Sequence, residues 1–342
     1  MAKAKPTKIN LALQGGGAHG AFTWGVVDRL LQDDGIQIAG ISGTSAGALN
    51  AAAIKSGLVE GGPEAARVRL KNLWNQVAGV DDIRMNDWLR AMFPSAGVVS
   101  KSLESSLPFL MSDALSRVFS PYNYGPFYKN PLEDIVAEFS YDAVCADSDP
   151  KFFVSATAVR TGKIRVFSGR EISPAVLMAS ACLPTVFQAV EIDGEDYWDG
   201  GYTCNPALFP LFEPDLPSDI VIVNINPLER DETPREPRDI LNRINEISFN
   251  TSLMRELRAI NFVQRLISDG KMPDGAMKKI NVHMISDDTL MRKLGVASKM
   301  IPTAPTLNAL FDAGQAAAEA FLGEHRPALG KHSSLDLPAM YS

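Results

Sequence analysis

Residues 9–56 alternate between short apolar strands and helices, and this alternation restricts the possible folds more than any other feature of the sequence. Residues 9–13 and 36–41 are short apolar runs bounded by turn residues, which is typical of buried strands. Residues 21–31 have helical periodicity, and the alanine-rich stretch 48–56 predicts a second, closely packed helix. Strands and helices that alternate at this spacing form a parallel sheet covered on both faces. The sequence therefore predicts an α/β fold with a central, mostly parallel sheet.

Later segments continue the same pattern. Further strands are predicted at residues 151–159, 163–167, 191–192, 197–198, 220–225 and 281–286, and further helices at 64–77, 238–267 and 307–322. We expect one domain over residues 8–325, followed by a loose tail at 326–342. Proline and aromatic residues are concentrated in 88–131, which we interpret as an insertion in that domain.

The overall composition excludes several classes of protein. Of the 342 residues, 46% are hydrophobic, which is too many for a generally disordered chain. The formal net charge of −7 argues against nucleic acid as a partner, and any membrane contact must be mainly apolar. Three cysteines fit a reducing compartment, and no apolar run reaches the ~18 residues that span a bilayer. We therefore expect a cytoplasmic protein whose contact with membranes or lipid aggregates is transient and peripheral; the oligomeric state is open.

A serine lies at the junction of the second strand and the second helix, in the sequence Gly43-Thr44-Ser45-Ala46-Gly47. Small residues on both sides of a serine allow a sharp turn that exposes its hydroxyl group at the positive end of the following helix. The G-x-S-x-G pattern is weak by itself, but its place between strand and helix favours a nucleophilic role for Ser45.

The first strand and first helix are joined by a glycine-rich loop, Gly15-Gly16-Gly17-Ala18-His19-Gly20. Such a loop can direct several backbone N–H groups to one point and bind an anion or oxyanion. The same residues match the dinucleotide-binding pattern G-x-G-x-x-G, which requires an acidic residue at the end of the second strand. No acid occurs there, since Asp33 and Asp34 precede that strand. The oxyanion interpretation is therefore favoured.

Three residues are candidates for the base that a serine nucleophile needs, and His19 in the glycine-rich loop is the least favoured of them. Asp199 follows a predicted strand and precedes Gly200 and Gly201, so it can be exposed on a tight turn, although an ordinary turn has the same pattern. An α/β-hydrolase order would combine Ser45 and Asp199 with His283. His283 lies inside a strand-like run, which favours a structural histidine.

The three motifs resemble, in order and spacing, the signatures of the patatin-like phospholipases. Residues 179–187 also resemble a stretch common in that family, and the similarity covers about residues 8–230. The resemblance implies a three-layer α/β/α fold in which Ser45 is the nucleophile and Asp199 is the general base. It implies an oxyanion hole made of Gly15, Gly16, Gly17 and Ala18, together with Ala46. The glycines that would support these turns are Gly20, Gly43, Gly47, Gly200 and Gly201.

The activity implied by the resemblance is hydrolysis of acyl esters of lipids, without a metal or cofactor. An isolated aspartate has a pKa of ~3.9, so we expect Asp199 to be desolvated, by neighbours such as Tyr197 or Trp198. The insertion at 88–131 would serve as an acyl-chain groove or lid, or would fill a second small core. His19 stands where family members often have Lys or Arg. The alternatives are a thioesterase or hydroxyacyl-ester depolymerase with the same dyad, and a non-catalytic lipid- or dinucleotide-binding protein.

Overall fold

A single mixed sheet forms the centre of the protein. The computed structural model describes residues 5–80, 82, 95–106, 120–184, 186–273 and 275–341. The strands among them are β1 (Thr7–Leu13), β2 (Ile36–Gly43), β3 (Lys151–Ala158), β4 (Ile164–Ser168), β5 (Val190–Ile192), β6 (Glu195–Asp199), β7 (Asp219–Val223) and β8 (Asn281–Ile285). They are arranged in the order β5-β6-β3-β2-β1-β7-β8, with β4 also paired to β3. From β3 to β8 all neighbours on this path are parallel, whereas β4, β5 and β6 pair antiparallel.

Helices cover both faces of this sheet. In the described residues they are α1 (Gly20–Leu30), α2 (Ala46–Ala78), α3 (Ala96–Glu104), α4 (Glu133–Ala137), α5 (Tyr141–Val144), α6 (Pro174–Ser180), α7 (Pro237–Ser268), α8 (Asp288–Met291), α9 (Val296–Met300) and α10 (Ala304–His325). Side chains alternate along a strand, so Val221 and Val223 pack with α1, α2 and α10, whereas Ile220 and Ile222 pack with α7. The fold is therefore the expected three-layer α/β/α arrangement.

The predicted alternation of strands and helices over residues 9–56 is confirmed. The predicted helices 48–56 and 64–77 are joined in α2, which is interrupted where Gly62 adopts a φ of 75° before Pro63. Among the described residues, no helix combines the length and the apolar character that crossing a bilayer requires.

The expected loose tail is wrong. Leu329 and Leu337 are buried, and the Gly330 N–H donates to the Asp219 carboxylate at 2.8 Å. The Ser334 hydroxyl lies 2.9 Å from Nδ1 of His283. Apolar burial and these polar contacts hold residues 326–341 against strands β7 and β8 at one end of the sheet.

Two parts of the predicted insertion at 88–131, residues 88–94 and 107–119, lie outside the described residues. At the end of this stretch, the hydroxyl oxygens of Tyr122 and Tyr128 accept hydrogen bonds from the backbone N–H groups of Ala189 and Gln188, at 3.0 and 3.1 Å. This part of the insertion is therefore attached to the loop between α6 and β5.

Candidate active site

Ser45 lies on a strained turn between β2 and α2. Its φ of 54° and ψ of −125° are unusual for a residue with a side chain, and such strain is characteristic of a nucleophile elbow. A Cβ atom at Gly43 would lie 2.6 Å from the carbonyl oxygen of Gly47, and one at Gly47 would collide with the carbonyl of Leu13. The turn therefore requires glycine at both positions. The Ser45 N–H donates to the Ser180 hydroxyl at 2.9 Å, which fixes the turn to α6.

Asp199, the last residue of β6, is fully buried. Its Oδ1 accepts the Gly201 N–H at 2.8 Å, whereas Oδ2 accepts no hydrogen bond from any described residue. A short 3-10 helix, Gly200–Tyr202, begins directly after it. Burial raises the pKa of Asp199 to about 7, although the Gly201 N–H and the Ser45 hydroxyl each lower it in part. The expected desolvation is thus confirmed, and it brings the pKa of the Asp199 carboxyl close to neutral pH.

The sheet brings Ser45 and Asp199 together through β3. Gly43, two residues before Ser45, pairs with Val154, and Asp199 pairs with Ala156 further along the same edge of β3, because β4 occupies the other edge. The two side chains therefore start from positions only two residues apart along one strand. The Ser45 hydroxyl is close enough to lower the pKa of Asp199, and Oδ2 of Asp199 has no hydrogen-bond partner among the described residues.

The glycine-rich loop lies directly beside this pair. A Cβ atom at Gly15 would be 2.6 Å from Cβ of Ser45, so the two backbones approach closely. Within the described part of the chain, the backbone N–H groups of Gly16, Gly17 and Ala18 donate to no acceptor. These three N–H groups are available to an anion, as is that of Ala46, which begins α2 and finds no acceptor in the described residues before it. The Ala46 side chain packs against the glycine that begins α1.

The N–H group of Gly15, in contrast, is already occupied. It donates to Oδ1 of Asn205 at 2.6 Å, and the carbonyl oxygen of Gly15 accepts from Nδ2 of Asn205 at 3.2 Å and from Nδ2 of Asn226 at 2.7 Å. Oε1 of Gln14 in turn accepts hydrogen bonds from the backbone and the side chain of Asn226. Gly15 therefore fixes the loop rather than offering its N–H group to a ligand.

These side-chain amides were not predicted from the sequence. Asn226 follows a predicted apolar strand, at the edge of the sheet where ligands bind in α/β folds, and this was the available signal. Asn205 lies in no recognisable motif except its position shortly after Asp199. Both residues are fully buried, together with Gln14 and Asn250, to which Gln14 is hydrogen-bonded at 3.4 Å.

The two histidines considered from the sequence lie in other environments. His19 is buried with Nε2 2.8 Å from the Ser298 hydroxyl; burial, together with the positive charges of Lys299 and Arg230, holds its pKa well below the ordinary value, so it is neutral. The Nε2 atom of His283 lies 3.0 Å from the Asp219 carboxylate, and its Nδ1 contacts Ser334. Both nitrogens of His283 are therefore engaged away from Ser45, in agreement with the structural interpretation.

Comparison with known proteins adds a finding independent of this geometry. A sequence model of the family described as "Patatin-like phospholipase" matches residues 11–212, which is more than half of the chain. The chain belongs to the patatin-like phospholipase family. This membership places it among lipid acyl hydrolases, and the matched range contains both Ser45 and Asp199.

Two further comparisons accompany the family match. The patatin-like chain is similar to the crystal structure of VipD from Legionella pneumophila, with 13% sequence identity and a TM-score of 0.38. The similarity covers 92% of this chain and 67% of VipD. A search of curated proteins finds no match.

Proposed function

We propose that this patatin-like protein hydrolyses acyl esters of lipids through a Ser45–Asp199 dyad. The observation that carries the proposal is the buried carboxylate of Asp199, which keeps one oxygen without a partner in the described structure and lies beside the hydroxyl of Ser45. Buried polar atoms without partners are rare in folded proteins, and ionisable groups whose pKa burial shifts strongly are concentrated at functional sites. A carboxylate with this environment can accept the proton that the serine must lose.

In the proposed reaction, Ser45 attacks the ester carbonyl as its proton passes to Asp199. The acyl group becomes bound to the serine oxygen, and the alcohol departs with the proton returned by Asp199. Water then attacks the acyl-enzyme, again losing its proton to Asp199, and the free acid leaves with Ser45 restored. A pKa of about 7 suits both directions of proton transfer, because the group is neither permanently ionised nor permanently protonated near neutral pH.

The negative charge that develops on the carbonyl oxygen needs preorganised donors. The N–H groups of Gly16, Gly17 and Ala18, for which the described residues supply no acceptor, support an oxyanion hole at this position. The N–H group of Ala46 assists them at the N-terminus of α2. Removal of one such donor in other enzymes costs about 2.7–4 kcal/mol of transition-state stabilisation. The proposed hole thus differs from the sequence expectation by omitting the N–H group of Gly15.

Labelling with a serine-directed fluorophosphonate tests the nucleophile. We expect modification of Ser45 in the wild type, none in Ser45→Ala, and slow modification in Asp199→Asn. Ser42→Ala is the matched control, because Ser42 lies on the adjoining strand, is buried, and has no hydrogen-bond partner among the described residues. Unchanged labelling in Ser45→Ala would refute the assignment. Rates on phosphatidylcholine, acyl-CoA and p-nitrophenyl esters then separate a lipid hydrolase from a thioesterase.

A further inference from the structure

The first turns of α7 expose apolar side chains to solvent. Ile240, Leu241, Ile244 and Ile247, here called the α7 tip, are 39%, 45%, 54% and 51% exposed. Residues three and four apart share one face of a helix, so Ile240, Ile244 and Ile247 form a single stripe, which Leu241 widens. Exposed apolar residues that occur singly need no explanation, but a contiguous group marks an interaction surface.

The turn of α7 that follows the tip contacts the proposed active site. The Phe249 ring would be 2.8 Å from a Cβ atom at Gly201, the residue whose N–H binds Asp199. Asn250 contacts Gln14, next to the glycine-rich loop, at 3.4 Å. Ile247 is two residues from Phe249, so the α7 tip adjoins the site and is held by the elements that build it.

The charges near the α7 tip indicate which surface it can meet. Residues 229–239, which lead into the tip, contain five acidic residues and three arginines, so this segment has a net negative charge. The acidic side chains are all exposed: Glu229, Asp231, Glu232, Glu236 and Asp239. Arg243, within the tip, is turned inward, where it donates to the carbonyl oxygen of Leu228 at 2.9 Å. Such a region is repelled by an anionic membrane, and its attraction to a lipid surface must come from apolar burial.

A protein partner of the same apolar character is a weaker fit. A stable protein interface buries roughly 800 Å² on each partner. Four side chains that are each about half exposed offer much less than this area. The insertion of a few apolar side chains into a lipid surface, however, requires no such area.

We propose that the α7 tip inserts into the surface of zwitterionic or neutral lipid aggregates and thereby places the neighbouring Ser45 site at that surface. This proposal rests on the lipid acyl hydrolase function proposed above, since it assigns the form in which the substrate is met. Because the α7 tip docks by burying apolar side chains and not by attracting opposite charges, salt does not weaken its binding.

Flotation of the full chain with phosphatidylcholine vesicles tests the proposal. The parent is Ser45→Ala, which removes turnover, and the test variant adds Ile244→Gln and Ile247→Gln. Phe262→Gln is the matched control, because Phe262 lies on α7, is 53% exposed, and is about four turns along the helix from Ile247. We expect the parent to bind, the test variant to partition about tenfold more weakly because less apolar surface is buried, and the control to match the parent.

Four further measurements distinguish apolar docking on lipid from charge-driven binding and from association between protein chains. Replacing part of the phosphatidylcholine by phosphatidylserine should not strengthen the binding of the parent, and raising the salt concentration should not weaken it. Absence of parent binding, equal binding of the test variant, a requirement for phosphatidylserine, or a dimer that the tip substitutions dissociate in sedimentation would each overturn the proposal.

With Ser45 intact, the tip variant should hydrolyse a soluble short-chain ester at the wild-type rate. If the wild type does not hydrolyse that ester, the proposed dyad fails, while flotation still decides the docking.

Discussion

The Ser45–Asp199 pair and the Asp219–His283–Ser334 cluster contain similar residue types, but they differ in how completely their polar atoms are hydrogen-bonded. In the second cluster both imidazole nitrogens have partners, at 3.0 and 2.9 Å, and the Asp219 carboxylate also accepts the Gly330 N–H. Asp199, although equally inaccessible to water, has an oxygen for which the described structure provides no donor. Satisfied polar groups hold the C-terminal segment in place, whereas the unsatisfied carboxylate retains a high proton affinity. The presence of an Asp, a His and a Ser therefore does not by itself identify a catalytic centre, and the unpartnered carboxylate oxygen is what distinguishes the proposed dyad from the second cluster.

The largest expected effect concerns Asp199→Asn. An amide cannot accept the serine proton, so we expect kcat on a soluble ester to fall by about 10⁴-fold, as removal of the carboxylate does in other serine hydrolases. Steady-state kinetics measure this, with circular dichroism to verify folding. Wild-type kcat in this variant would show that the unpartnered oxygen of Asp199 has no function in the reaction, and the contrast with the Asp219–His283–Ser334 cluster would then lose its meaning.

The pH dependence of the rate gives the next effect. Asp199 must be ionised to act as a base, and burial raises its pKa to about 7. We therefore expect kcat/KM to be constant at higher pH and to fall as the pH decreases below about 7, approaching tenfold per pH unit. In Asp199→Asn the residual rate should lose this acid limb. A wild-type limb near the ordinary aspartate pKa of ~3.9 would contradict the desolvation argument.

Asn205→Ala sharpens the comparison at the glycine-rich loop. The substitution removes both hydrogen bonds to Gly15, which releases the loop that carries the proposed oxyanion donors. We expect kcat to fall by roughly 10²-fold, similar to the loss of one such donor, with little change in KM. Asn205→Asp retains an acceptor for the Gly15 N–H and should recover part of the rate. If KM rises while kcat stays constant, Asn205 serves substrate binding and not the transition state.

The smallest effect on activity is expected from His283→Gln. This substitution disturbs buried hydrogen bonds to Asp219 and Ser334, so the free energy of unfolding should fall by about 1–3 kcal/mol, as measured with urea. The kcat of the folded protein should be unchanged. A loss of kcat comparable to that of Asp199→Asn would show that the second cluster takes part in the chemistry after all.

Local patterns were sufficient to predict the strand, glycine loop and helix of residues 9–31, because each depends on the periodicity and turn chemistry of adjacent residues. They also identified Ser45 and Asp199 as candidates, since each lies in a short motif at the end of a strand. The support that Asn205 and Asn226 give to Gly15 was not predictable, because these contacts join residues 190 and 211 positions apart by hydrogen bonds that any amide can make. The packing of Leu337 was missed for the same reason: its partners are assembled only in the folded sheet.

The pairing of β3 with both β2 and β6 restricts the insertions and deletions that such a chain can tolerate during evolution. Because side chains alternate along a strand, an insertion of one residue between Val154 and Ala156 would shift Asp199 relative to Ser45 and invert the side chains that follow. A change of length in the long connection between α2 and β3, by contrast, leaves that spacing unaltered. Three consecutive positions of an interior strand, residues 154–156, are thus intolerant of insertion or deletion although the proposed chemistry uses none of their side chains.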